Sequence, residues 1–191
     1  MHFTEPTYYR EEFISLSISG EGLQGVTFDE CSFADCNLVE CSFDRCAFVD
    51  CRFRESAISN VNAVNSRFLR PQFSGCKIMG FDWSKTAKLQ DLSFTECQID
   101  YSNFSSLVLR NTTMIRCSAK EVRFVETDLS DSVFTDSDFQ ASTFFKANLS
   151  RADFRGARNY EIDVGNNVIK GARFSLPEVL SLLYSLGIEI D

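Results

Sequence analysis

The feature that most constrains this chain is a step of five residues. Phe28, Phe33, Leu38, Phe43, Phe48 and Phe53 follow one another at that interval. Two positions before each stands a small residue: Val26, Cys31, Cys36, Cys41, Cys46 and Cys51. Side chains return to one face after about 3.6 residues in a helix and about 2 in a strand. A five-residue step fits neither. It describes a chain that turns a corner once per repeat, with a large residue filling the interior and a small one where walls meet.

The ladder runs far beyond this stretch. Large apolar centres recur from Phe13 through Trp83, skip one residue within Ser84 to Lys88, and resume from Leu89 to Phe154. Of the 19 phenylalanines, only Phe3, Phe81 and Phe145 fall off it, with Phe174 a late return. Such regularity marks a repeat architecture. Four sides close a square coil of about twenty residues, and coils stack about 4.8 Å apart. Roughly seven coils then give a rod near 34 Å long. The 44% hydrophobic content suffices for a core.

Eight cysteines invite a disulfide or zinc reading. Cys76, Cys97 and Cys117 keep the same slot as the first five, no CxxC pair occurs, and the one histidine is His2. Zinc sites combine close-spaced Cys and His ligands. The thiols are therefore expected to be reduced wall residues, with no metal and no cofactor. His-based acid–base chemistry has no anchor, and no glycine-rich phosphate loop follows a strand. An enzyme is not expected.

Glu5, Glu11 and Glu12 interrupt any signal peptide, and no run approaches the roughly 20 apolar residues of a membrane span. The expected protein is soluble and cytoplasmic. A net charge of −8 argues against direct nucleic-acid binding, which requires excess Lys and Arg.

Ala147-Asn148-Leu149-Ser150-Arg151 and Ala152-Asp153-Phe154-Arg155-Gly156 resemble the repeat of the pentapeptide repeat family: a small residue, Asp or Asn, Leu or Phe, then two polar residues. The resemblance implies an all-β solenoid, a right-handed quadrilateral β-helix of pentapeptide repeats with a C-terminal capping α-helix. It divides the chain into an N-terminal cap over 1–12, the β-helix over 13–156, and a last coil, loop and helix over 157–191. Ser175 and Glu178 read as a capping box, opening a helix that runs to about Leu186 and stops at Gly187.

Trp83 and the segments around Asn159 to Asp163 and Ala172 to Glu178 are similar to the albicidin-resistance branch, which stands with the quinolone-resistance branch among gyrase-protecting members. In these an acidic rod dimerised through its C-terminal part is taken to mimic DNA. The resemblance implies DNA gyrase, a type II topoisomerase, as partner, and antibiotic resistance or self-immunity as outcome. The alternative is a non-catalytic interaction scaffold with another partner.

If every fourth repeat shares a wall, the wall of Phe28 carries Asp29, Glu30, Asp50, Asp91, Asp128 and Asp131 against Arg67, Arg70, Lys88, Arg110 and Arg151. The wall of Phe33 carries Glu12, Asp35, Glu55, Glu96, Asp136 and Asp153 against Arg52, Arg54, Arg116 and Arg155. Neither is a pure acidic stripe. The first set supplies the candidate contacts for a partner. Val179, Leu182, Leu183, Leu186, Ile188 and Ile190 are the candidate contacts of a homodimer.

Overall fold

The computed structural model describes residues 3–188. The chain is a parallel β-solenoid whose coils superpose at a spacing of twenty residues: Phe28 lies over Phe48, and Phe33 over Phe53. The first wall stacks strands Thr7–Tyr9, Thr27–Asp29, Ala47–Val49, Arg67–Leu69 and Lys88–Gln90. The second stacks Glu12–Ile14, Ser32–Ala34, Arg52–Arg54, Gln72–Ser74, Ser93–Thr95 and Thr113–Ile115. The third wall contains Asn37–Val39 and the fourth Ser42–Asp44, and single parallel bridges carry the stack onward to Asp153 and Arg173.

The register confirms the wall assignment, including its passage through the inserted residue. Arg67 pairs with Lys88, a step of 21 instead of 20. A 3-10 turn over Trp83–Lys85 takes up the extra residue, and Ala87 N returns to Ser66 O at 2.8 Å. Phe81 holds a slot that is otherwise small, and its ring stacks on Trp83 at 4.0 Å.

Inside, the large residues form columns. Phe33 stacks on Phe53 at 4.8 Å with planes 7° apart, and Phe28 on Phe48 at 5.1 Å and 12°. The ring spacing is the coil spacing, so each ring contacts the next without strain in the ladder. All eight cysteines are buried and free. They hold the slot that Ser56, Ser66, Ser132 and Ser137 hold elsewhere, where a hydroxyl or thiol donates to a backbone carbonyl.

Most corners are turned by a residue in the left-handed region, among them Glu30 at φ 53°, Asp50 at 51°, Asp91 at 51° and Asp131 at 61°. That conformation costs about 1–2 kcal/mol for a residue with a Cβ. The corner N–H groups offset the cost by bonding to the next coil, as Asp50 N does to Leu69 O at 2.9 Å.

The ends depart from the sequence reading. Thr7–Tyr9 already pairs with Thr27–Asp29, so the solenoid begins inside the segment expected to be only a cap. Tyr8 lies over Phe28, and Phe3 covers it, edge-on to Tyr8, Phe13 and Phe28 at 5.0 to 5.4 Å. At the other end Phe174 stacks on Phe154 at 5.3 Å, as a final repeat should. The helix is shorter than expected, only Leu180–Tyr184. Ser175 and Glu178 do not cap it. They accept hydrogen bonds from Gly156 N at 2.9 Å and Asn159 N at 2.7 Å, which satisfies N–H groups the last coil would otherwise leave open.

Candidate functional site

Corner residues point away from the core, so function has to be sought on the four edges and the walls between them. Glu30, Asp50, Asp91 and Asp131 all fall on one edge, between the first and second walls. Asp29 and Asp128 stand beside it on the first wall.

The next coil, or the one before, brings an arginine to most of these acids. Arg10 Nε donates to Glu30 at 2.8 Å. Arg70 holds Asp50, and Arg151 holds Asp131, each through two guanidinium nitrogens. Arg110 Nε donates to Asp128 at 2.7 Å, and Asn148 Nδ2 donates to it at 3.0 Å. The arginine hydrogen bonds hold the Glu30, Asp50 and Asp131 carboxyls below their usual range. Burial pushes Asp128 up, but the Arg110 and Ser130 bonds outweigh it and its pKa is also lowered. Asp91 accepts from Gln90 Nε2 at 3.1 Å. Apart from Asp91, the acids of this edge form a cross-coil ion-pair ladder in which arginine compensates their charge.

A different set of acids stands without ion partners among the described residues. Asp35, Glu55 and Asp136 lie on the edge between the second and third walls. Glu40 and Glu121 lie on the edge between the third and fourth, and Glu161 lies beside Ala141 on that edge. All are exposed. On the first of these edges Glu96 alone has a partner, Arg116 at 2.8 Å. Glu55 lies over Gly75, where a Cβ would collide with its carboxylate, and Asp136 lies over Gly156 in the same way. The sequence carried this signal: no base stands one coil away from Asp35, Glu40, Glu55 or Glu121.

The third wall between these edges is mixed. Asp100 is buried and accepts from Ser118 Oγ, Lys120 N and Gln98 Nε2 at 2.7 to 2.8 Å. Asp138 binds Asn159 Nδ2 at 2.8 Å and faces Lys120 and Arg158.

The C-terminal apolar residues divide into two groups. Leu182 is buried and Val179 packs against the core, so both close the coil. Leu183, Leu186 and Ile188 are exposed at 38%, 56% and 45%, beside Leu176 at 76% and Tyr184 at 57%. Ile190 lies outside the described residues.

The interior void, about 10 Å³ and lined by Phe48, Phe68, Phe73, Trp83 and their neighbours, is far too small for a substrate. Among the described residues no group of three or more His, Cys, Asp or Glu is placed to hold a metal, and no helix is long and apolar enough to cross a membrane.

The repeats match the family model described as a pentapeptide repeat region over residues 23–104, 46–124 and 87–174. No curated protein matches the sequence. Among solved structures, the chain resembles a trypsin-treated variant of QnrB1, a plasmid-mediated fluoroquinolone resistance protein. The identity is 19% over 94% of this chain and 99% of that one, with a TM-score of 0.59. A second trypsin-treated QnrB1 variant gives 19% identity over the same shares and a TM-score of 0.57. At these identities the likeness is one of fold.

Proposed function

The chain belongs to the pentapeptide repeat family, and from that we propose that it is a non-catalytic, cytoplasmic DNA mimic that binds DNA gyrase and modulates it or protects it from poisons. The observation that carries this reading is the run of uncompensated carboxylates on the two edges flanking the third wall: Asp35, Glu55 and Asp136 on one, Glu40, Glu121 and Glu161 on the other. A protein surface built to hold duplex phosphates through Lys and Arg would meet negative charge there, spaced along a rod. Of the first-wall acids, Glu30, Asp50, Asp128 and Asp131 are engaged by arginine and serve the fold more than the partner.

Duplex DNA carries one negative charge per about 1.7 Å, so the rod is a dilute mimic and its affinity should fall with salt. Similarity in fold to QnrB1 gives the chain the same kind of rod. The exposed Leu183, Leu186 and Ile188 support a homodimer through the C-terminal end, which would lengthen the rod.

The ion-pair ladder on the first wall favours a second reading, an interaction scaffold for another partner. A supercoiling assay separates the two. The gyrase reading expects inhibition of supercoiling, or protection from a gyrase poison, at micromolar protein. Neither effect at that concentration leaves the scaffold.

A further inference from the structure

The chain has a net charge of −8, yet residues 45–88 carry eight bases and three acids. Asp50 and Asp82 are held by Arg70 and Lys85, which leaves Glu55 as the one acid of this stretch without an ion partner among the described residues. Of the 19 Lys and Arg side chains, twelve make ion pairs. Arg52, Arg54, Arg67, Lys77 and Lys88 make none, and elsewhere among the described residues only Arg123 and Lys170 share that state.

The register explains the difference. Arg52 stands between Ser32 and Gln72 on the neighbouring coils, and Arg54 between Ala34 and Ser74. Arg67 has Ala47 on one side and Lys88 on the other. At the corners, by contrast, an acid and a base stand one coil apart, as Asp50 and Arg70 do. Arg67 and Lys88 are a like-charge pair in direct register, an arrangement that destabilises a sheet. Arg52 and Arg54 are exposed on the second wall, Arg67 and Lys88 on the first.

We propose that Arg52, Arg54, Arg67 and Lys88 form a docking surface for an extended acidic segment of a partner protein. Arg52 and Arg54 are two strand residues apart, about 6.6 Å, which is the step between alternate carboxylates of an extended chain. Arg67 and Lys88 are one coil apart, about 4.8 Å, close enough for one carboxylate to serve both. The partner's acids thus take the place of the cross-coil acids that the register withholds. The surface spans three coils, about 10 Å along the rod. Asp29, Glu30 and Asp35 lie on the coil before it, and Asp91 and Glu96 follow Lys88. A duplex, with one charge per about 1.7 Å, would run past these bases into those acids. A short acidic segment ends before them. The surface does not rest on the gyrase reading, since the edges beside the third wall call for a partner surface of the opposite sign.

The test is fluorescence anisotropy at low salt with a labelled peptide of alternating Glu and Thr. A labelled oligothymidylate is the nucleic-acid arm. Arg52→Gln/Arg54→Gln and Arg67→Gln/Lys88→Gln are each expected to weaken peptide binding about tenfold. Arg123→Gln/Lys170→Gln removes the other two unpaired bases and should change it less than about twofold. Arg67→Gln/Lys88→Gln should also hold or raise the thermal midpoint, because it relieves the like-charge pair. A loss of binding in that variant is then not a loss of fold. The proposal is overturned if the wild type does not bind the peptide, or if neither of the first two variants weakens binding more than the third. It is also overturned if the oligothymidylate binds more tightly than the peptide through the same four residues.

Discussion

Arg70 reaches back one coil and holds Asp50 through both arms of its guanidinium, Nε to Oδ1 at 2.7 Å and Nη2 to Oδ2 at 2.6 Å. The contact joins two corner residues that the sequence separates by 20 positions and the coil brings together. It takes Asp50 out of the pool of charge offered to a partner. Asp50→Asn is therefore expected to leave gyrase binding unchanged and the thermal midpoint nearly so, since exposed ion pairs contribute little. A loss of binding comparable to that from the unpaired acids would show the ladder itself makes the contact.

Phe48 sits between Phe28 and Phe68 at 5.1 and 4.8 Å and is 1% exposed. Phe48→Ala removes a ring from the middle of a column that the coil spacing prevents from collapsing. We expect a loss of about 3–5 kcal/mol in denaturant unfolding. A loss under about 1 kcal/mol would mean the column relaxes around the gap.

The C-terminal end gives a pair of contrasting outcomes. Leu183→Glu with Leu186→Glu should yield folded monomers in light scattering. Leu182→Glu should lower the melting temperature instead, because Leu182 plugs the last coil. Wild-type protein that is monomeric at high concentration contradicts the dimer.

Asp153 is 3% exposed and meets Arg155 Nη2 and Arg173 Nη2, each at 2.7 Å. The Arg155 hydrogen bond lowers its pKa below the usual aspartate range although burial opposes it. A carboxyl with a depressed folded pKa contributes stability that is present above its unfolded value and lost as pH falls through the folded one. Stability should hold from neutral pH to about 5 and decline below about 4. Asp153→Asn should cost about 1–3 kcal/mol at pH 7 and flatten the acid decline. An unchanged decline in that variant assigns it to other carboxylates.

Most of the fold was legible because the five-residue step fixes which side chains face inward, and one insertion does not disturb a register held by backbone bonds on all four walls. Ser175 and Glu178 were misread for a physical reason. A capping pair is recognised by its spacing, but here the open N–H groups nearest to it belong to Gly156 and Asn159 of the last coil. Tyr8 was missed as a wall residue because its small slot is occupied by Pro6, whose carbonyl still accepts from Thr27 N at 2.9 Å. For the site, the sequence showed where acids stand on a wall. Which of them are free depends on the residue one coil away, as Arg10 beside Glu30 and Gly75 beside Glu55 show.

The central claim is that uncompensated carboxylates beside the third wall, and not those of the first-wall ladder, meet gyrase. The most direct measurement is a gyrase pull-down, with and without competing DNA, on Asp35→Lys/Glu55→Lys/Asp136→Lys and on Asp50→Asn/Asp131→Asn. The account predicts that the first variant loses gyrase and that the second retains it in a form DNA displaces. Retention by the first variant, or no capture by the wild type, would contradict it.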